Sequence, residues 1–342
     1  MKLAINNSVD KTMWDSTVTS FGGSIFHMSI WAEYITARQP LAVPQFFTLL
    51  KEDGSVAGCA LGFKESSRIR IMKPFTKNLW FDSTPVVKPD KSEHLDDFFN
   101  NICSHAQQTG YVRVTIGSFA SETREKNLKS LGFDLAKRLE FIVQLDRSED
   151  ELWKALSARR RRSVRSASKN NVTLEHMKGG DALKILHDLQ NESAKRIKKR
   201  GGPDLMTGNS MNYDPLDVLQ KAGVAQVMVA RAHGKVESAA LILHSNRQAY
   251  YMQAGHSPEG LENHAPSLLI WECFHHYKNK GASVFNLGGC SADALNSDSP
   301  EYGLYVFKKE FGGKTVECTS GQKVLRKNHL RIANHLRNLF RH

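Results

Sequence analysis

Apolar and polar positions along the chain fall into short runs, and one order of runs occurs twice. Phe46-Phe47-Thr48-Leu49-Leu50, a turn at Asp53-Gly54 and the run Val56 to Phe63 predict a β-hairpin. Val227-Met228-Val229-Ala230-Arg231, a turn around Gly234-Lys235 and Val236 to Leu243 predict the same hairpin about 180 residues later. The spacing predicts a helix over Leu95 to Gln108, stopped by Gly110 and followed by a strand from Tyr111 to Gly117. Its counterpart runs from Pro266 to Lys280, stops at Gly281 and leads into a strand from Ser283 to Gly288. Lys129-Ser130-Leu131-Gly132-Phe133 and Lys309-Glu310-Phe311-Gly312-Gly313 form a third matching pair. Three matches in one order predict two copies of one α/β unit, with antiparallel strands, a helix and a further strand in each.

Other helices have their own signals. In Pro266 to Lys280 the proline suits a first turn, and Leu269, Cys273, Phe274 and Tyr277 make an apolar stripe. Asp181 after Gly179-Gly180 predicts an N-cap, and Leu183, Leu186, Leu189, Ala194 and Ile197 follow at helical spacing. Asp150 to Asn170 reads as one helix linking the copies. Val324 to Phe340, with Leu325, Ile332, Leu336 and Leu339, reads as an amphipathic helix that packs back on the body. The expected division is 1–150 and 151–324 for the two copies and 325–342 for the terminal basic helix.

The chain has 342 residues, 40% of them hydrophobic, which suits two folded domains of roughly 150 residues rather than a disordered chain. Apolar runs stay far below the roughly 18 residues of a membrane span. Met-Lys-Leu-Ala-Ile-Asn-Asn-Ser-Val-Asp at the start lacks an apolar signal core, so a cytoplasmic protein with no integral membrane segment is the expectation. The net charge of +12 is concentrated. Leu152 to Leu174 contains no acid but holds Lys154, Arg159, Arg160, Arg161, Arg162, Arg165 and Lys169 beside Trp153. Lys195-Arg196-Ile197-Lys198-Lys199-Arg200 form a second cluster, and Lys323, Arg326, Lys327, Arg331, Arg337 and Arg341 a third. Such clusters suit a phosphate-bearing partner or a solvated basic face.

The segment richest in chemistry is Tyr302-Gly303-Leu304-Tyr305-Val306-Phe307-Lys308-Lys309-Glu310-Phe311-Gly312-Gly313, after Phe285-Asn286-Leu287-Gly288-Gly289. A lysine framed by aromatics behind a strand ending in Gly-Gly suits the stabilisation of an oxyanion or a phosphate. The alternative has Phe307 and Phe311 in the core and Lys308 in water. Cys59, Cys103, Cys273, Cys290 and Cys318 are scattered, with no Cys-x-x-Cys pair, which argues against a disulfide framework or a structural zinc. Cys290 is the one cysteine placed to line a cleft. His256, His264, His275 and His276 come with no fixed third partner, so no metal is expected.

These features resemble the FemAB family of acyl and aminoacyl transferases, built from two tandem GNAT-like domains. The resemblance covers most of the chain. It rests on Ser24 to Trp31, on Leu152 to Leu156 with Arg161 to Ala167, and on Asn171-Val172. It continues through Ala249 to Gly255, Pro266 to Glu272, Gly281, Asn286 to Gly289 and Gly303 to Lys308. It implies an α/β (α+β) fold with mixed, mostly antiparallel sheets flanked by helices. It also implies transfer of an acyl group from an activated ester or thioester to an amine, with the acceptor amine attacking directly. The protein then aligns the partners and stabilises the tetrahedral oxyanion. By resemblance, Lys308 with Phe307 is catalytic, holding that charge or the donor's terminal ribose and phosphate. Arg196 matches an arginine for acceptor phosphates, and Tyr251 a tyrosine facing the acceptor cleft. Trp271, Asn286 and Tyr305 join them as substrate-binding candidates, and Arg161, Arg162 and Arg165 as donor or phosphate ligands. A lysine that cell-wall members place shortly after the first-domain tryptophan has no match in Glu33-Tyr34-Ile35-Thr36.

No cofactor is implied beyond the donor itself. Acetyl-CoA enzymes of this fold carry a Gln/Arg-x-x-Gly-x-Gly/Ala loop before a helix. The corresponding Gly255 to Ala265 lacks it and holds Glu259 and Glu262, which repel a pyrophosphate. Three readings follow. One is an aminoacyl-tRNA-dependent transferase acting on an amine of an envelope or peptidoglycan precursor. The second is an acyl-CoA-dependent N-acyltransferase, and the third a non-catalytic RNA-binding module. The basic segment after Trp153 favours tRNA as partner.

Overall fold

The computed structural model describes residues 1–121, 124–199, 214–245 and 247–339. Arg200, Phe340 and Arg341, singled out in the sequence, lie outside them. The chain forms two compact units, residues 1–138 with 317–342, and residues 139–316.

In chain order the first unit holds β1 (Lys2–Asn6), α1 (Lys11–Ser20), α2 (Ser29–Arg38), β2 (Val43–Leu50), β3 (Val56–Glu65) and β4 (Asn78–Phe81). The short β5 (Val86–Val87), α3 (His94–Gln108), β6 (Arg113–Ile116) and α4 (Glu125–Ser130) follow. β7 (Asp134–Gln144) passes into the second unit, with α5 (Glu149–Ala155), α6 (Ala158–Lys169), β8 (Thr173–Met177), α7 (Gly180–Lys199), α8 (Asp214–Lys221), β9 (Ala225–Ala232) and β10 (Lys235–Ser245). Then come β11 (Gln248–His256), α9 (Pro258–Glu262), α10 (Ala265–Asn279), β12 (Val284–Ser291) and α11 (Tyr302–Lys309). β13 (Lys314–Val324) returns to the first unit and α12 (Lys327–Leu339) closes the chain.

The repeat read from the sequence is present. Strand order is β1-β2-β3-β4-β6-β13 in the first unit and β8-β9-β10-β11-β12-β7 in the second. Each has an antiparallel hairpin, β2 with β3 and β9 with β10, and each has one parallel pair, β4 with β6 and β11 with β12. α3 and α10 are the crossover helices that a parallel pair requires. Both end at a glycine with positive φ, Gly110 at +79° and Gly281 at +87°, the left-handed position that closes a helix. The last strand of each copy is exchanged: β7 lies beside β12, and β13 pairs antiparallel with β6. For that reason the expected division at residue 150 falls inside α5, within the second unit.

The helix expected over Asp150 to Asn170 is two. Ser148 forms a capping box with Glu151 over α5, and Ser157 accepts from the Arg160 N–H to start α6. Asp181 sits in the first turn of α7, which begins at Gly180. Val324 belongs to β13, and α12 packs within the first unit, where His329 lies 5.3 Å from the Phe75 ring. Each unit has its own apolar core. Phe47, Phe81, Phe98 and Phe99 centre the first, and Phe141, Phe274, Phe285 and Phe311 the second. All five cysteines, Cys290 included, are buried, and Cys59 is pushed up to about 12 by burial, as suits inert core thiols. Among the described residues no helix is long and apolar enough to cross a membrane.

Candidate active site

β11 and β12 pair in parallel from Gln248 with Val284 to Tyr250 with Asn286, and the pairing ends there while both strands run on. The parting brings polar groups of three elements together. Gly288 adopts φ +67°. A Cβ there would lie 2.7 Å from the Tyr251 carbonyl oxygen, so only glycine lets the two backbones approach so closely, and Lys308 Nζ lies 3.5 Å from the same point. The Gly288 N–H donates to Asn286 Oδ1 at 2.8 Å, which fixes the turn.

Lys308 reaches this turn from α11. It is only 6% exposed, and its Nζ donates to the Gly289 carbonyl at 3.0 Å and lies 6.0 Å from the Tyr251 ring centroid. The reading of Lys308 as a solvent-facing lysine is therefore set aside. Beside it lies a buried network that sequence reasoning missed. Tyr250 donates its hydroxyl to Glu140 Oε1 at 2.8 Å, and Asn286 Nδ2 donates to Glu140 Oε2 at 2.7 Å. Glu140, on β7, is 1% exposed. Burial pushes the Tyr251 phenol well above its ordinary range. Tyr305, one turn before Lys308, packs 5.8 Å from Phe141 and under the Lys309 ammonium.

The arrangement joins a buried cation, an opening between two strands and a polar wall. That is what a site needs to hold charge developing on a carbonyl oxygen.

The Acetyltransferase (GNAT) domain family matches residues 155–308, the stretch that carries most of these groups. The crystal structure of FemX superposes with a TM-score of 0.74 at 18% identity, covering 97% of this chain and 99% of that one. A tandem GNAT protein from the clavulanic acid biosynthesis pathway superposes at 0.54 and 10% identity, covering 95% and 99%. In sequence the chain is 26% identical to a UDP-N-acetylmuramoylpentapeptide-lysine N(6)-alanyltransferase of Weissella viridescens, over 41% of this chain and 48% of that protein. It is 27% identical to a lipid II:glycine glycyltransferase of Staphylococcus saprophyticus, over 39% and 32%. The chain shares the fold of FemX, with two GNAT folds in tandem. The alignments span about half or less of the length of the curated relatives they match.

In this chain the other sequence-derived candidates scatter. Phe307 turns away from the strand opening. Its ring lies 4.3 Å from the Arg160 guanidinium carbon and 5.3 Å from Phe311. Trp271 is buried in the core, edge-on to Trp153 at 5.1 Å and to His275 at 4.5 Å. Arg196 donates to the His256 carbonyl at 3.1 Å, near the far end of β11. His256 lies five residues beyond Tyr251, a strand length of about 16 Å, so Arg196 and Lys308 do not share one cluster. Arg161 closes α5 by donating to the Lys154 and Leu156 carbonyls. Arg162 is exposed, and Arg165 stacks 5.2 Å over Trp153.

The buried arginine of the run is Arg160. It donates to Ser267 Oγ and to Glu310 Oε2, each at 2.6 Å, and lies between the Phe307 and Phe311 rings. Glu310 is two residues past Lys308, and its carbonyl accepts the Ser157 N–H at 2.9 Å. Arg160 therefore fixes the end of the helix that carries the lysine. The signal for it was present: Arg160, Val164 and Ala167 fall on one face of α6.

Proposed function

We propose that this chain moves an aminoacyl group from aminoacyl-tRNA to the amine of a cell-envelope peptide precursor. The observation that carries the reading is the buried Lys308 ammonium, held at Gly289 where β11 and β12 part. In such a transfer the amine nitrogen attacks the ester carbonyl and a C–N bond forms. The ester C–O bond breaks, and the amine proton leaves with the released hydroxyl. Lys308 would stabilise the oxyanion of the tetrahedral intermediate, the step at which a preorganised charge has most effect. The names of the alanyl- and glycyltransferase relatives agree with this class of transfer.

The entrance to α10 disfavours a CoA pyrophosphate. Ser267 in its first turn is engaged by Arg160, and Asn263 beside it donates to both oxygens of buried Glu237, at 2.9 and 3.0 Å. A buried carboxylate there opposes a second anion. The deciding experiment is filter binding of total tRNA, aminoacylated against deacylated, at roughly physiological salt, where weak phosphate binding is suppressed. Preference for the charged pool, followed by label transfer to an amine-bearing muropeptide, is the expected result. Equal binding that vanishes with salt would reject the donor and turn attention to acyl-CoA.

A further inference from the structure

We propose that a second site, at the C-terminal end of α10, binds a phosphate group through His176, His244, His276, Lys178 and Lys280. Gln226 on β9 organises it. Its Oε1 accepts from His276 Nε2 and from Lys280 Nζ, each at 3.3 Å, and its Nε2 donates to His176 Nδ1 at 3.0 Å. The His176 and His276 rings lie 4.1 Å apart, and the His244 ring lies 5.5 Å from that of Tyr277. Lys280 Nζ sits 5.7 Å from the same tyrosine ring. The Tyr277 hydroxyl is buried with no hydrogen-bond partner, although the residue is 1% exposed. This end of α10 leads into β12 at Val284, whereas Gly288 and Lys308 lie at the strand's other end.

The electrostatics are one-sided. Burial lowers the pKa of His276 to about 4, helped by His176, Lys280 and His244. Burial lowers His176, with Lys280 adding to it, and His244, with Lys280 and Lys178 adding. Lys280 is itself lowered, by burial and then by Lys178. No carboxylate acts on any of them. On neighbouring α8, Asp217 is engaged by Lys221 at 2.6 Å, and Glu149 lies toward His275 instead. A cluster built only for stability would gain from one acid, and none is placed there among the described residues. A bound phosphate supplies the missing charge and several strong acceptors. It would favour the protonated histidines, so binding takes up protons and tightens as pH falls.

The test follows the histidine ring signals of the full chain by NMR during titration with sulfate, with inorganic phosphate and with a short RNA oligonucleotide, between pH 8 and pH 6. Sulfate stays a dianion throughout, which isolates protons taken up by the protein. The expected result is movement of the His176, His244 and His276 signals, with sulfate binding that tightens by up to roughly ten-fold per pH unit, the slope that uptake of one proton sets. Lys178→Gln with Lys280→Gln, both surface positions, should weaken binding at least ten-fold, and Lys308→Ala should leave it unchanged. Movement with RNA alone, lost in the same double variant, would make a polynucleotide backbone the source of the phosphate. Still signals with all three probes, or binding indifferent to pH or to the lysine pair, would overturn the proposal.

Discussion

Glu140 and Tyr250 are 110 residues apart in the chain and 2.8 Å apart in the fold. With Asn286 as the second donor, both oxygens of one buried side chain are satisfied by groups from two other strands. Truncating that side chain strands two donors in the core. Each unpaired buried group costs about 1–3 kcal/mol. Glu140→Ala should therefore lose about 2–6 kcal/mol in urea denaturation, with Tyr250→Phe losing less. Equal stability of wild type and Glu140→Ala would show that water or a neighbour replaces the contact.

Lys308 makes the sharpest prediction for turnover. Removing a preorganised oxyanion donor costs about 10²- to 10³-fold in kcat. Lys308→Ala should show that loss in a single-turnover transfer assay, with near-native circular dichroism. A folded variant with unchanged kcat would falsify the role.

Gly288 ties the two together. Its φ of +67° and the 2.7 Å approach of the Tyr251 carbonyl to a Cβ leave no room for a side chain. Gly288→Ala should cost about 1–3 kcal/mol in backbone strain and should lower kcat further than stability alone explains, because relieving the 2.7 Å clash with the Tyr251 carbonyl moves the turn that Lys308 rests against. Thermal melts alongside kcat separate the two effects. A variant as stable and as fast as the parent would show that the turn is not needed.

The hairpins, the two crossover helices and the Gly-Gly strand end were legible because each follows from local periodicity or a glycine stop. Lys308 was legible from its aromatic frame. Glu140 was not. In Leu139-Glu140-Phe141 strict alternation puts the acid on a solvent face, yet all three residues are buried, because both faces of β7 are covered at this point. The exchange of β7 and β13 was equally hidden, since strand pairing between distant segments leaves no local mark. Arg160 was masked by its neighbours: four arginines in a row read as one charged face until helical phase singles out the residue that points inward.

That inward arginine should not tolerate lysine. Arg160 engages Ser267 and Glu310 at once, and a single ammonium cannot reproduce that fork. Breaking a buried ion pair by removing one partner costs about 3–5 kcal/mol. Arg160→Ala should fall in that range, and Arg160→Lys should recover only part of it. A double-mutant cycle with Glu310→Gln should give a coupling above about 1 kcal/mol. Strict additivity would mean that the pair does not hold the end of α11.

Acid should destabilise the fold through two histidines kept neutral inside it. His27 is 2% exposed, its Nε2 lies 2.8 Å from the Thr84 carbonyl and its Nδ1 accepts from the Ser24 N–H at 3.1 Å. Burial lowers its pKa. His256 is pushed down to about 4, first by burial and then by Arg196. An unfolded histidine titrates near 6.5. Between that value and the folded pKa the unfolded chain binds more protons, so stability decreases as pH falls. For His256 the window runs from about 6.5 down to about 4. Urea midpoints should be flat from pH 8 to about 7 and then decline steadily below about 6.5. His27→Gln, which keeps a polar group in place, should start from a lower stability but decline less steeply. Parallel curves for parent and variant would remove His27 as a source of the acid sensitivity.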